Sequence, residues 1–123
     1  RGSNLSGGQI QRLALARALL HNASVYIFDE ATSNIDVESE EIILQLIQRL
    51  KQEKTIVMIS HRLANAVQAD CIYVLQQGQL AEQGTHAELM AKQGIYCHMF
   101  NQQKQLENIR NHNETAAIGG ENA

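Results

Sequence analysis

A chain of 123 residues with a formal net charge of −3 is one domain or a piece of one, and it is long enough to bury a core. With 44 % apolar residues but two Phe and no Trp, that core is expected to be aliphatic. The lack of a Lys/Arg block argues against a nucleic-acid surface, and the distant Cys71 and Cys97 argue against a zinc site or a disulfide scaffold. No apolar run approaches the roughly 20 residues of a membrane span, and no signal peptide is visible.

The chain opens on Arg1-Gly2-Ser3-Asn4, which reads as a tag remnant or as the continuation of a longer protein; the motifs that follow favour the second. Leu5-Ser6-Gly7-Gly8-Gln9 then leads into an apolar-periodic run, Ile10 to Leu20. Two glycines behind a hydroxyl residue at a helix start expose free backbone N–H groups, and the positive end of the helix dipole suits a phosphate. The same residues also have a plain structural use. Ser6 and Gln9 have capping-box spacing, and Leu5 and Ile10 stand where a hydrophobic staple would. A helix is predicted over residues 6 to about 22, with Ile10, Leu13, Arg17 and Leu20 on one face and Ala14, Leu15, Ala18 and Leu19 widening it.

Val25-Tyr26-Ile27-Phe28 is a short run of β-formers that ends in Asp29-Glu30; without polar alternation it reads as a strand buried on both faces. Asp36 caps a helix from about 37 to 52, whose first turns carry Glu38, Glu40 and Glu41 where the macrodipole favours them. Thr55 to Ile59 is a second buried strand, leading to Ser60-His61-Arg62 and a short helix at about 63–68. Cys71 to Leu75 is a third strand, and Gln77-Gly78 turns it into an antiparallel fourth, Gln79 to Gln83. Thr85-His86-Ala87-Glu88 is a capping box for a helix to about 92, and Ile95 to about Leu106 forms the last helix. Residues 108–123 are polar and short of apolar anchors, so a disordered tail is expected after a domain spanning 1–107.

Alternating strands and helices predict an α/β fold with a parallel sheet, and ligands of such sheets sit beyond the strands' C-terminal ends. Asp29 and Glu30 lie at one such end and His61 just past another. A carboxylate pair there suits Mg²⁺ chemistry: one acid holds the metal, usually through water, and the other orients or deprotonates an attacking water. Each piece alone is more often structural. Asp29 and Glu30 would be solvated strand-end acids, His61 a hydrogen-bonded loop residue, and Asp36 a helix cap.

Taken together, the pieces resemble the ATP-binding cassette (ABC) family. Leu5-Ser6-Gly7-Gly8-Gln9 is similar to its signature motif, Val25 to Glu30 to its Walker B motif, Thr32-Ser33-Asn34-Ile35-Asp36 to its D-loop, and Ser60-His61-Arg62 to its switch-histidine loop, all in family order. Gln79 to His86 resembles the C-terminal region of exporter-type cassettes, and the likeness runs over about residues 3 to 107. It implies a partial P-loop NTPase-like, mostly parallel sheet with helices on both faces, ending in a β-hairpin and C-terminal helices. It further implies that Asp29 helps hold Mg²⁺, that Glu30 is the general base, and that His61 contacts the γ-phosphate. Ser6, Gly7 and Gly8 would close over ATP carried by a second cassette, Gln9 would support that loop, and Asp36 would sit at the interface of the two. Asn34 departs from the small apolar residue common at its place.

No G-x-x-x-x-G-K-[ST] phosphate loop occurs in the sequence, so the expected extent is the C-terminal half of an exporter cassette, from signature motif through switch histidine, without the Walker A portion. Its missing strand would lie between those at 55–59 and 71–75, leaving edges that need other pairing. The implied function is part of an ATPase powering a membrane exporter, with ATP and Mg²⁺ as cofactors, and with a second nucleotide-binding domain and transmembrane domains as partners. No nucleic acid is expected, and the location is the cytoplasmic face of the cell membrane through segments outside this chain. The alternatives are a cassette of a soluble ABC ATPase of DNA repair or translation, and a half-cassette interaction module. The chain by itself is expected to bind ATP very weakly and not to hydrolyse it. Isothermal titration checks this, and micromolar, Mg²⁺-dependent binding would overturn it.

Overall fold

A computed structural model describes residues 7–119. They form two compact units, one from the N-terminus to His61 and one from Arg62 onward. In the first, helix α1 (Gly7–Leu20) is followed by strand β1 (Val25–Asp29), helix α2 (Val37–Leu50) and strand β2 (Thr55–Ile59). In the second, a 3₁₀ turn (Leu63–Ala66) leads to strands β3 (Ile72–Gln76) and β4 (Gln79–Gly84), then helices α3 (His86–Lys92) and α4 (Ile95–Gly119). The α/β class is as expected: a small parallel sheet with packed helices, then a hairpin and C-terminal helices.

β1 and β2 pair in parallel, with Val25 opposite Thr55 and Asp29 opposite Ile59. The pleat sends alternate side chains to opposite faces. Tyr26 and Phe28 are buried beside Leu15 of α1 and Ile43 and Ile47 of α2, with Ile56 and Met58 packed alongside. The Tyr26 and Phe28 rings lie 6.3 Å apart, nearly parallel, and the Tyr26 hydroxyl accepts a hydrogen bond from Ala23 N–H at 3.1 Å. The opposite face of β1 is exposed, with Ile27 67 % accessible, so burial is one-sided where the continuous apolar run suggested two.

Of the broad apolar face expected for α1, the widening residues Leu15, Ala18 and Leu19 pack inward and the rest stays exposed. Leu15 is buried with Ala18 and Leu19 against it, while Ile10, Leu13 and Leu20 are exposed. The helix is apolar around most of its circumference, so periodicity alone does not choose the side that packs. Asn22 ends the connection in the left-handed region at φ 46°, a conformation that asparagine tolerates.

β3 and β4 form an antiparallel pair. Gln77 (φ 50°) and Gly78 (φ 75°) make the two-residue turn, whose two positive φ values match the twist of the flanking strands. The register slips between Val74 and Leu75 because Ala81 is an extra residue on β4. Among the described residues, β3 pairs with β4 alone and β1 with β2 alone. Thr85 caps α3 by accepting from Glu88 N–H, the first half of the predicted capping box, and the Glu88 carboxylate turns back to accept from the Thr85 hydroxyl at 3.1 Å. Leu89 and Tyr96 are almost wholly buried. The Tyr96 hydroxyl meets His86 Nδ1 at 2.8 Å, Phe100 packs edge-on against His86, and burial raises the Tyr96 pKa.

Helix α4 continues to Gly119, so residues 108–119 of the expected disordered tail are helical, and 120–123 lie outside the described residues. Residues 108–118 contain no Pro or Gly, and the helix closes its own backbone bonds without needing tertiary partners. Lack of apolar anchors left this stretch exposed, and did not unwind it.

Packing around Ile43 and exposure of Ile27 give opposite expectations for the same deletion. Ile43→Ala should cost about 2–5 kcal/mol, whereas Ile27→Ala should stay within about 0.5 kcal/mol. Chemical denaturation followed by circular dichroism measures both, and equal costs would contradict the one-sided core.

Candidate functional site

The parallel ladder ends level on its two strands, and the first residue past β1 is Glu30. Its backbone sits in the left-handed region at φ 51°, and its N–H donates to the Ile59 carbonyl at 2.8 Å. A bulky non-glycine residue held there carries strain that the surroundings must hold in place, and such positions cluster at functional sites. The chain leaves the sheet sharply, with Ser33 N–H returning to the Glu30 carbonyl at 3.0 Å.

β2 ends at Ile59, and two residues on His61 brings Nε2 to 2.6 Å from Glu30 Oε1. The His61 side chain is 92 % exposed and that of Glu30 36 %, so the contact adds little to stability. An imidazole N–H that faces a carboxylate oxygen donates to it. The structure thus juxtaposes an acceptor and a donor at the carboxyl edge of the sheet. Asp29 is the last residue of β1 and is exposed.

The glycines of α1 meet the start of α2. A Cβ on Gly8 would overlap the Ser39 hydroxyl, with Ser39 Cβ at 2.6 Å and Asp36 Oδ1 at 2.9 Å. A Cβ on Gly7 would come within 3.2 Å of the Asn34 carbonyl. Gly8 is therefore required for close packing of the helix start on residues 34–39, whatever else its amide does. Gln9 is exposed and engaged in an interaction. Ser6 lies outside the described residues.

Asp36 is the N-cap of α2, accepting from Ser39 N–H at 3.0 Å. Bonds from the Ser39 backbone and side chain hold its carboxyl pKa below the ordinary aspartate value. Asn34 adopts φ 58°, which gives its departure from a small apolar residue a conformational basis. Ser39 was not singled out from sequence, although its i+3 spacing from a capping Asp is the signal that finds it.

Among the described residues, no group of three or more His, Cys, Asp or Glu side chains is arranged to hold a metal ion. Asp29 offers a single carboxylate, a donor set that fits Mg²⁺ only where phosphate oxygens and water complete the coordination. A cavity of about 200 Å³ lies between α1 and β1, lined by Gln11, Ala14, Phe28 and Asp29 among others. A larger one of about 480 Å³ in the second unit is lined by none of the candidate residues. No described helix is long and apolar enough to cross a membrane.

Comparison with known proteins bears on these residues. The family model described as ABC transporter matches residues 1–33. The chain is 82 % identical over 110 residues to an ABC transporter ATP-binding protein of Haemophilus influenzae, a stretch that is 89 % of this chain and 20 % of that protein. It is 46 % identical over 103 residues to the ATP-dependent lipid A-core flippase of Xylella fastidiosa, covering 84 % of this chain and 18 % of the relative. A solved structure of a bacterial Atm1-family ABC exporter with ATP bound superposes with a TM-score of 0.76 at 43 % identity, over 84 % of this chain and 18 % of that one. The chain spans about a fifth of the length of these curated relatives. The similarity supports the cassette function in general terms. The family match also corrects the extent read from sequence. It falls on the N-terminal 33 residues, and not on a C-terminal half of a cassette running from signature motif through switch histidine. Asp36 and His61 lie beyond the matched stretch, so their assignment rests on motif order and on the geometry above.

Asp36 supplies a pH-dependent readout of the cap. A carboxyl whose folded pKa is depressed stabilises the fold above its unfolded pKa and loses that contribution as pH falls through the folded one. The NMR titration midpoint of Asp36 should therefore lie below the ordinary aspartate value. Asp36→Ala should destabilise at neutral pH and converge on wild type below that midpoint. A difference independent of pH would contradict the cap.

Proposed function

We propose that this chain is part of the ATP-hydrolysing cassette of an ABC-type membrane exporter, and that ATP turnover in the intact protein uses Glu30 and His61. The observation that carries the reading is the 2.6 Å contact between Glu30 and His61 at the carboxyl edge of the parallel pair. It joins two groups from separate motifs, one able to accept a proton and one able to donate.

In this reading Glu30 accepts the proton of the water that attacks the terminal phosphate. His61 donates from Nε2 to an oxygen of that phosphate. The two roles compete for the contact seen here: a phosphate that takes the His61 donor releases the Glu30 carboxylate toward water. Asp29 would help hold Mg²⁺, mainly through water, and the ion would supply charge neutralisation at the phosphates. Gly7 and Gly8 present the amides at the start of α1, with Ser6 preceding them and Gln9 supporting the loop, to a nucleotide held by a second cassette. Asp36 holds the start of α2 against that loop and faces the same interface. The partners are a second nucleotide-binding domain and the transmembrane domains of the exporter, and the location is the cytoplasmic face of the membrane. The exporter relatives favour this reading over a soluble cassette of DNA repair or translation.

Glu30→Gln in the full-length protein tests the assignment. Removing a general base should lower steady-state ATP turnover by about 10²- to 10⁴-fold. Turnover at the wild-type rate would remove Glu30 from the chemistry.

A further inference from the structure

The start of α1 is seated on the loop that leads into α2, and one buried side chain makes the seat. Ser39 stands in the first turn of α2 and is buried. A buried hydroxyl needs a partner, and that of Ser39 donates to the Asp36 carboxylate. The Ser39 backbone N–H donates to the same carboxylate at 3.0 Å. With both bonds made, the other side of the Ser39 side chain lies against the buried Gly8 of α1. A Cβ at Gly8 would meet Ser39 Oγ, Ser39 Cβ and Asp36 Oδ1. Ser39 Oγ can swing aside only by giving up Asp36, and Ser39 Cβ can move only with the backbone of α2. Arg12 lies one turn beyond Gly8 on the same face of α1, and its charge adds a smaller attraction for the Asp36 carboxylate. Asp36 is thus engaged from both helices, from α2 by Ser39 and from α1 by Arg12.

We propose that Ser39 is a positioning residue that joins the start of α1 to the Asp36 cap. Its hydroxyl orients the carboxylate and its side chain bears on Gly8, so the helix start and the loop shift together. Buried behind both, it acts through them, by setting where the Gly7 and Gly8 amides stand relative to Asp36. That role rests on the reading of both elements as facing a nucleotide held by a second cassette. Glycine at position 8 is then demanded by Ser39 inside one cassette, before any phosphate arrives.

The test is a double-mutant cycle on ATP turnover in the full-length protein. Ser39→Ala removes the hydroxyl and keeps the backbone bond to Asp36. It should raise KM for ATP by about tenfold, the loss of one hydrogen bond to a charged group. Its kcat should stay within about twofold, because a displaced phosphate contact weakens ground and transition states alike. Gly8→Ala should raise KM at least as much by itself. Once Ser39→Gly has opened the space, adding Gly8→Ala should change KM by less than about threefold, the mark of two residues in contact. An unchanged KM in Ser39→Ala would overturn the proposal. So would a fall in kcat alone, which is what loss of folded protein gives. Equal effects of Gly8→Ala with and without Ser39→Gly would also overturn it, by placing the demand for glycine at the phosphate. Ser39→Ala reads the same coupling where Gly8→Ala does not fold. Glu30→Gln, run alongside, separates the two failures. If it abolishes turnover while Ser39→Ala leaves KM unmoved, only the role of Ser39 falls. If it leaves turnover intact, the cassette reading falls and the role of Ser39 falls with it.

Discussion

The parallel register of β1 and β2 is the constraint on which the candidate site depends. Parallel strands run in the same direction, so pairing Asp29 with Ile59 places the residues after both at one edge. The last link is a backbone bond, from Glu30 N–H to the Ile59 carbonyl. It holds Glu30 in the left-handed region and turns the chain out of the sheet before a helix can begin. A slip of one residue would send Tyr26 and Phe28 to the exposed face and carry Glu30 away from His61. The core and the site therefore share one register, and stabilising the first fixes the second.

A second constraint is the need of every helix start for acceptors. The chain meets it in two ways. Asp36 and Thr85 are local caps, each three residues from its donor. The 3₁₀ turn and α4 depend instead on distant side chains: Gln103 accepts from Leu63 N–H, and Glu82 Oε1 accepts from Tyr96 N–H at 2.7 Å. The Glu82 carboxylate lies directly over Gly94, where a larger residue would have to push it aside. Remote caps do more than end an element. They tie a hairpin strand to a helix, and a loop to a helix, through directional bonds.

This division also marks what was legible in the sequence. The bounds of β2 are legible because four β-branched residues and a methionine lie between polar neighbours, but its burial is not, since none of the five is buried. The caps Asp36 and Thr85 were legible because donor and acceptor lie three residues apart. Glu82 and Gln103 were not, since their partners are 14 and 40 residues away and the local sequence shows only that Arg62 is a poor cap. Periodicity puts Leu15, Ala18 and Leu19 on one broad apolar face with Ile10, Leu13 and Leu20, and only packing on Tyr26 and Phe28 selects the first set. The end of α4 is not legible in the sequence because absence of apolar anchors predicts exposure, and an exposed stretch can still be helical. The motif residues were all visible as motifs. What the sequence could not supply was that Glu30 and His61 would touch, or that Gly8 would be needed for packing against Ser39.

That packing role and the exposure of His61 point to a common principle. Side-chain burial does not hold His61 in place, since it is 92 % exposed and its contact with Glu30 is a surface ion-pair geometry. Its main chain follows directly on the end of β2 at Ile59. A donor located this way can exchange one acceptor for another at small energetic cost, because no packed core has to move with it. Glu30 complements it, with its backbone locked by the Ile59 bond and its carboxylate partly open to water. Rigid main chain with loosely held side chains is the combination required of groups that must change partners when a phosphate arrives and return when it leaves.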